Sequence, residues 1–256
     1  MFTSNPFAEL SASIPALVMQ AYIILMIVLV VAGTLYDILH KGSAAYFFDN
    51  WRNVRKKGTH DISGGALVSI AAQTIVVDAM ASGEFCNVRR RIAHLLTMYG
   101  FLAYVITTVI MVFWYPTPAI LPQLWHIGAL MVCLGGYWFW FFIRVDVAAE
   151  GHSPLRVVRA DLFILSLLAS VTLGLAWSWL QSTDSSFTSP SLVLYLIATT
   201  VLFGSIPWSK FSHMFFKPAA AFQKRVEAAN GSRRNLPGPS DKPEILGSAR
   251  EQPRHY

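Results

Sequence analysis

Histidines at the ends of apolar segments are the side chains in this sequence best suited to holding a cofactor. Three of the seven histidines lie at such ends: His94, His126 and His213. Neutral imidazole is a good axial ligand for haem iron, and a bis-histidine b-type haem needs two imidazoles at similar membrane depth. His94 and His213 meet this requirement, and we predict that they hold one haem b. The alternative is that both are interfacial histidines satisfied by lipid or water.

Basic residues beside both histidines support the haem hypothesis. Arg90 and Arg91 precede His94, and Lys210 precedes His213. Positive groups at these positions are suited to pairing with the haem propionates. The predicted cofactor-binding residues are therefore His94, His213, Arg90, Arg91 and Lys210, of which the two histidines are the metal ligands.

The remaining histidine of the three, His126, lies at the opposite end of the predicted bundle. Every other histidine falls on or near the first side, so a second bis-histidine haem is excluded by counting. A His–Met pair with Met111 or Met131 stays open as an alternative. The preferred interpretation is an interfacial histidine beside Trp125.

Five apolar segments are long enough to position these histidines in a membrane. Crossing the hydrocarbon takes about 20 apolar residues. The composition agrees, because 54% of the 256 residues are hydrophobic and 13% are charged, about half the usual charged fraction. We predict an all-α, polytopic membrane protein, a bundle of five transmembrane helices at roughly 14–39, 92–114, 123–143, 161–180 and 191–208.

A shorter apolar stretch and a polar tail complete the predicted organisation. Residues 66–77 are too few to span, so we predict an amphipathic helix of about 62–82 on the cytoplasmic interface. The membrane domain is predicted to cover 1–216. The rest, 217–256, is rich in Gly, Pro, Ser and charge, and is predicted to be a disordered cytoplasmic tail.

The distribution of basic residues gives the orientation. The segments 40–91, 144–160 and 209–256 hold eight, three and nine Lys plus Arg, which are all twenty in the chain. By the positive-inside rule these segments are cytoplasmic, with the N-terminus outside and the C-terminus inside. We predict a multi-pass protein of a bacterial inner membrane, in contact with lipid. The net charge of +6 is then an orientation signal, and no nucleic-acid partner is expected.

Charged residues are absent from the middle of every predicted span. Asp37 and Asp161 lie at inner helix ends, and the remaining acidic residues lie outside the spans. Carriers and pumps usually place ionisable groups inside the membrane, so a carboxylate relay is disfavoured. Electron transfer, binding of a small molecule from the lipid phase, and plain anchoring remain.

Two stretches resemble a known family. They are FCNVRRRIAHLLTMYGFLAYVITT at 85–108 and IPWSKFSHMFFKP at 206–218. The first resembles the second-helix region, and the second the end of the fifth helix, of membrane subunits related to the gamma subunit of respiratory nitrate reductase. The five-helix count and the outward N-terminus agree with that family.

This resemblance implies a reduced haem content. In the family, four histidines hold two b-type haems, and the pair nearer the cytoplasm matches His94 and His213. The positions of the second pair are Tyr104 and Tyr195 here. The resemblance therefore implies that the outer haem is lost, and it puts the outer quinol site beside that haem in doubt.

The sequence around His94 is most similar to subunits that serve sulfur metabolism. These are the membrane anchor of adenylylsulfate reductase and the membrane subunit of the quinone-interacting oxidoreductase complex. The resemblance implies a non-catalytic subunit that passes electrons between a cytoplasmic iron–sulfur or flavin oxidoreductase, adenylylsulfate reductase first, and the quinone pool. The alternatives are a haem-free scaffold that recruits the soluble enzyme and, more distantly, a small-molecule carrier.

Reporter fusions test the predicted topology. Fusions after residues 118 and 186 should report an external location, because no basic residue flanks the spans there. Fusions after residues 58, 152 and 235 should report the cytoplasm. A cytoplasmic signal at 118 would contradict the five-helix topology.

Overall fold

The computed structural model describes residues 2–40, 42–83, 85, 87–144, 157–158, 161–208 and 213–232. Within these residues the chain is helical, with no strand. Its helices, in chain order, are α1 (Pro6–Leu10), α2 (Ala16–His40), α3 (Ser43–Lys57), α4 (Gly64–Gln73), α5 (Val88–Phe113), α6 (Ile120–Trp138), α7 (Leu162–Ser182), α8 (Thr188–Gly204) and α9 (His213–Ala229). α4 and α6 continue as π-helical turns over Thr74–Met80 and Phe139–Ile143, and a 3-10 turn over Ile206–Trp208 follows α8.

The long apolar helices confirm an all-α, multi-pass membrane protein. Four helices are long and apolar enough to cross a membrane: α2, α5, α6 with its π-helical end, and α7. They correspond to the first four predicted spans. The fifth predicted span is α8, which has 17 residues and is therefore about 25 Å long.

A side-chain cap fixes the start of α5. The Asn87 side chain accepts hydrogen bonds from the backbone N–H groups of Arg89 and Arg90, at 2.9 and 3.4 Å. Capping of this kind satisfies N–H groups that have no partner within the helix. The cap therefore fixes the residue at which α5 begins.

The chain divides into two compact units. Unit 1 comprises Met1–Asp37 and Asn87–Ser212, and unit 2 comprises Ile38–Cys86 and His213–Tyr256. Unit 1 contains the long apolar helices, and unit 2 contains the shorter amphipathic ones.

In unit 1, α5 and α6 cross in close contact at paired glycines. A methyl group added to Gly100 would lie 2.7 Å from the carbonyl oxygen of Gly128, and one added to Gly128 would lie 2.8 Å from that of Gly100. Small residues let transmembrane helices approach until their backbones touch, and packing of this kind drives helix association in lipid. Gly100 therefore provides the close contact between α5 and α6.

A buried ion pair joins the end of α6 to the start of α7. The Arg144 guanidinium donates from Nε to the Asp161 carboxylate at 3.1 Å, and a second bond from Nη2 completes a bidentate pair. The backbone N–H of Val158 also donates to Asp161, at 2.8 Å. Arg144 further lies over the Trp140 ring, 3.9 Å from its centroid. The one Asp expected at the start of the fourth span is thus neutralised by the residue that ends the third.

Unit 2 is held together where α9 contacts α3 and the α4 segment. The Trp51 and Phe222 rings stack at 5.7 Å, and the buried Asn230 amide donates to the carbonyl of Val54 at 3.0 Å. Arg225 donates to Asp78 through two bonds of 2.6 and 2.9 Å. These hydrogen bonds to Asp78 raise the pKa of the Arg225 guanidinium.

The extent of α9 corrects the predicted domain boundary. A disordered tail was predicted from residue 217, yet α9 continues through Ala229. The physical reason is tertiary: Phe222 and Val226 are apolar residues on one face of the helix and are covered by unit 2. The rest of the predicted tail, 233–256, lies outside the described residues.

The predicted amphipathic helix is present as α4 and its π-helical continuation, Gly64–Met80. Several of its apolar side chains are exposed, among them Val68, Ile75 and Val76. An exposed apolar helix face is typical of a segment that lies against lipid. Its location on the cytoplasmic interface stays a prediction.

Replacing Gly100 by Ala should destabilise unit 1. The added methyl group would meet backbone atoms of α6 that cannot move aside, and such overpacking costs about 1–3 kcal/mol. Gly204→Ala is the matched control, because nothing lies within 4 Å of a methyl group there. The thermal-unfolding midpoint of the purified protein in detergent should fall for Gly100→Ala alone. Equal midpoints for the two variants would contradict the close helix contact.

Candidate functional site

The predicted haem ligands lie in different units of the structure. His94 is the seventh residue of α5 in unit 1, and its side chain is exposed. His213 begins α9 in unit 2, and its side chain lies outside the described part of the chain, as does the whole of Lys210. Arg90 and Arg91 are half-buried in the first turn of α5. The structure thus gives positions on one helix for three of the five predicted residues.

The helical spacing places His94 on the same face of α5 as residues that point into the bundle. His94, Phe101 and Thr108 are spaced seven residues apart and so lie on nearly one face of α5. Phe101 and Thr108 are buried and line a cavity in unit 1. His94 lies about 10 Å from Phe101 along the helix axis, toward the start of α5.

Two tyrosines meet at the centre of unit 1. The Tyr104 hydroxyl on α5 donates a hydrogen bond to the Tyr195 hydroxyl on α8, at 3.1 Å, and both side chains are buried. Gly174 on α7 provides the space, since a methyl group there would lie 2.5 Å from the Tyr104 oxygen. These are the two positions where the family resemblance locates the outer haem ligands. The phenol groups are in direct contact, which leaves no room for a macrocycle between them.

Aromatic stacking holds the tyrosine pair in place. Tyr104 stacks on Trp125 at 5.0 Å, and Tyr195 stacks on Trp177 at 5.8 Å. Phe7 of α1 contacts both tryptophans, at 6.0 and 5.3 Å. Both tryptophans are fully buried, and the four stacked rings therefore form a rigid centre.

His126 is part of the buried core, which corrects the interfacial interpretation. Its side chain is 0% exposed. Nδ1 lies 2.7 Å from the Pro122 carbonyl, and Nε2 lies 3.0 Å from the Ser178 hydroxyl. A carbonyl only accepts, so Nδ1 donates to Pro122 and Nε2 accepts from Ser178. Neither ring nitrogen has a free lone pair for a metal, which also removes the His–Met alternative in this structure.

A cavity of about 260 Å³ lies in unit 1 between α2 and helices α5, α7 and α8. Its walls are mostly apolar, with Phe101, Leu202 and Phe203 among them. Ile27 and Val31 line its opening and are 49% and 54% exposed. Because α2 and α5 are membrane-spanning helices, this opening faces the hydrocarbon.

Sequence reasoning missed the polar side of this cavity. Ser170 on α7 and Thr199 on α8 share a hydrogen bond of 2.7 Å, and Tyr22 on α2 donates to the Leu196 carbonyl at 3.0 Å. Hydroxyl residues in apolar helices commonly bond to the backbone of their own helix, so their types alone gave no signal. Among the described residues, no cluster of three or more His, Cys, Asp or Glu side chains is arranged to hold a metal ion.

Comparison with known proteins gives one partial likeness. The chain matches no protein-family model and no solved structure. It is 25% identical to citrate utilization protein B of Escherichia coli over an alignment of 168 residues, and the match covers 62% of this chain and 43% of that protein. The chain thus spans less than half the length of this curated relative. Family membership stays a prediction from the two sequence stretches around His94 and His213.

Replacing His126 by Ala tests its assignment to the core. The change leaves a cavity and an unpaired Ser178 hydroxyl, which together should cost about 3 kcal/mol. His60→Ala is the control, because the His60 side chain is exposed and bonds to the Thr59 hydroxyl of the same loop, outside the core. Thermal unfolding in detergent should distinguish the two variants, with haem content unchanged in both. A His126→Ala protein that lost haem without losing stability would instead identify His126 as a ligand.

Proposed function

We propose that this protein is a membrane anchor and electron-transfer subunit of an oxidoreductase complex. It would pass electrons between a cytoplasmic iron–sulfur or flavin enzyme and the quinone pool. The observation that carries the proposal is the position of His94, near the start of α5, next to Arg90 and Arg91 and on the helix face that borders the cavity. The subunit itself would catalyse no substrate chemistry outside this transfer.

The residues that α5 provides are suited to holding one b-type haem. His94 would supply one ligand to the iron from the start of α5, and His213 would supply the second. Arg90, Arg91 and Lys210 would pair with the propionate groups. A haem held there would supply a one-electron carrier between the partner and the membrane. The contact between Tyr104 and Tyr195, together with the paired nitrogens of His126, supports a limit of one haem per chain.

The uncharged centre of the bundle favours transfer over transport. The only charged groups that the structure describes at the inner helix ends of α6 and α7 form the Arg144–Asp161 pair, in which both charges are already neutralised. Converting one quinone to quinol takes two electrons and two protons. Because a haem carries one electron at a time, the partner must deliver electrons twice per quinone. A haem-free scaffold that only recruits the soluble enzyme is the alternative.

The orientation and the partner are part of the proposal. The N-terminus would lie outside a bacterial inner membrane, and the basic face would lie in the cytoplasm, where it attracts an acidic partner. Adenylylsulfate reductase is the first candidate, from the sequence around His94. The likeness to citrate utilization protein B makes a role in citrate utilization the second candidate. Mass spectrometry of the complex purified from its native membrane decides between them.

Replacing His94 by Ala separates the relay from the scaffold. The wild-type protein should hold no more than one haem b per chain by pyridine haemochrome assay. His94→Ala should lose this haem and stop transfer between partner and quinone, while the partner still sediments with the membranes. His60→Ala, an exposed loop histidine, is the control and should behave as wild type. Full transfer by His94→Ala, or two haems per chain, would overturn the relay and leave the scaffold.

A further inference from the structure

We propose that the cavity beside the Tyr104–Tyr195 pair binds the ring of an isoprenoid quinone, with its tail left in the lipid. This inference rests on the proposed function, which requires a quinone, and it adds the place where the quinone binds. The shape of the cavity, its polar groups and its position beside α5 support this assignment.

The cavity exists because α2 contacts the rest of unit 1 near its two ends. Near its start, Gln20 donates to the Val112 carbonyl at 3.3 Å and Tyr22 bonds to α8. Farther along, Gly33 lies against Ile206. Between these contacts α2 forms one wall of the cavity, which Ile23, Met26 and Val30 line. The opening at Ile27 and Val31 faces lipid, so a ligand would enter from the membrane and not from water.

The size of the cavity fits a headgroup better than a whole ligand. Pockets that bury a complete drug-sized molecule measure about 300–1,000 Å³. The cavity here is about 260 Å³ and open on one side. A single ring fills such a space, and a long apolar tail can leave through the opening. Phe101 and Phe203, 6.5 Å apart, offer aromatic surface to that ring.

The polar groups of the cavity select an uncharged ligand. None of the described residues that line it is charged, which disfavours a phospholipid headgroup. Its polar atoms are hydroxyl groups, including the Tyr104–Tyr195 pair and the Ser170–Thr199 pair. A hydroxyl group both donates and accepts hydrogen bonds. Ser170 donates to Thr199, Thr199 donates to the Tyr195 carbonyl, and Tyr104 donates to the Tyr195 hydroxyl. The Tyr195 hydroxyl group can therefore donate to a carbonyl oxygen of a quinone, and the hydroxyl oxygens of both pairs can accept from a quinol.

The position of the cavity connects it to the proposed relay. Phe101 and Thr108 line the cavity, and His94 lies on the same face of α5, about 10 Å from Phe101 along the axis. One rigid helix would thus hold both the redox ligand and the wall of the quinone site. No relative motion of helices is needed to bring them together.

Binding of decylubiquinone to the purified protein in quinone-free nanodiscs tests the site. Val30→Phe fills the cavity from α2, because Val30 is half-buried and lines it, and should weaken binding at least about tenfold. Val28→Phe is the matched control, because Val28 does not line the cavity and is 53% exposed. It should leave the dissociation constant unchanged. Tyr195→Phe removes one hydroxyl group and should weaken binding about fivefold.

A second pair of variants tests the site without any change in α2, whose folding Val30→Phe could disturb. Val105→Phe fills the same cavity from α5, and the exposed Ile106 gives its control, Ile106→Phe. If both filling variants bind decylubiquinone as their controls do, the site is wrong. Extraction of phospholipid alone, with no quinone, from the natively purified wild-type protein would also overturn it.

The readouts distinguish this inference from the proposed function. Haem content should stay unchanged in Val30→Phe and Val105→Phe, since neither variant touches His94. Transfer from partner to quinone that survives in both filling variants would overturn the site and leave the relay intact. The opposite result is also possible. If the filling variants alone lose decylubiquinone binding, while the wild-type protein shows no haem and no electron transfer, the quinone site is supported and the relay is refuted.

Discussion

The close contact between α5 and α6 fixes the groups at the centre of the membrane domain. Gly100 and Gly128 have no side chains to separate the helices, so the two backbones touch. At that distance Tyr104 stacks on Trp125, and the Trp125 indole N–H reaches the Thr108 hydroxyl at 2.8 Å. A wider crossing would break both contacts. The tyrosine pair, the stacked rings and one wall of the cavity therefore all depend on two missing side chains.

The second constraint on the structure is that polar groups inside the hydrocarbon must have hydrogen-bond partners. Water is not available there, so each hydroxyl, amide or charged group needs a protein partner. The Ser170–Thr199 bond, the two bonds of His126 and the Arg144–Asp161 pair meet this need. The result is a centre without net charge. Such an environment suits a neutral molecule dissolved in lipid.

The proposed relay and the proposed quinone site share one element. α5 carries His94 near its capped start and Phe101 and Thr108 on the cavity wall farther along the same face. The Asn87 cap fixes the start of this helix, and Gly100 brings it into backbone contact with α6. A function that requires a fixed distance between two redox groups is well served by this arrangement. A scaffold would need only the exposed basic surface.

The sequence by itself determined the membrane spans, because each depends on the length of a local apolar run. The predicted span 92–114 and α5, Val88–Phe113, agree within four residues. The family resemblance also pointed to Tyr104 and Tyr195 as equivalent positions. Only the tertiary structure decided that these two hydroxyl groups touch, that His126 is buried and that α9 packs on α3. These outcomes depend on how helices rotate and cross, which brings together residues far apart in the chain, and local composition carries no information about that geometry.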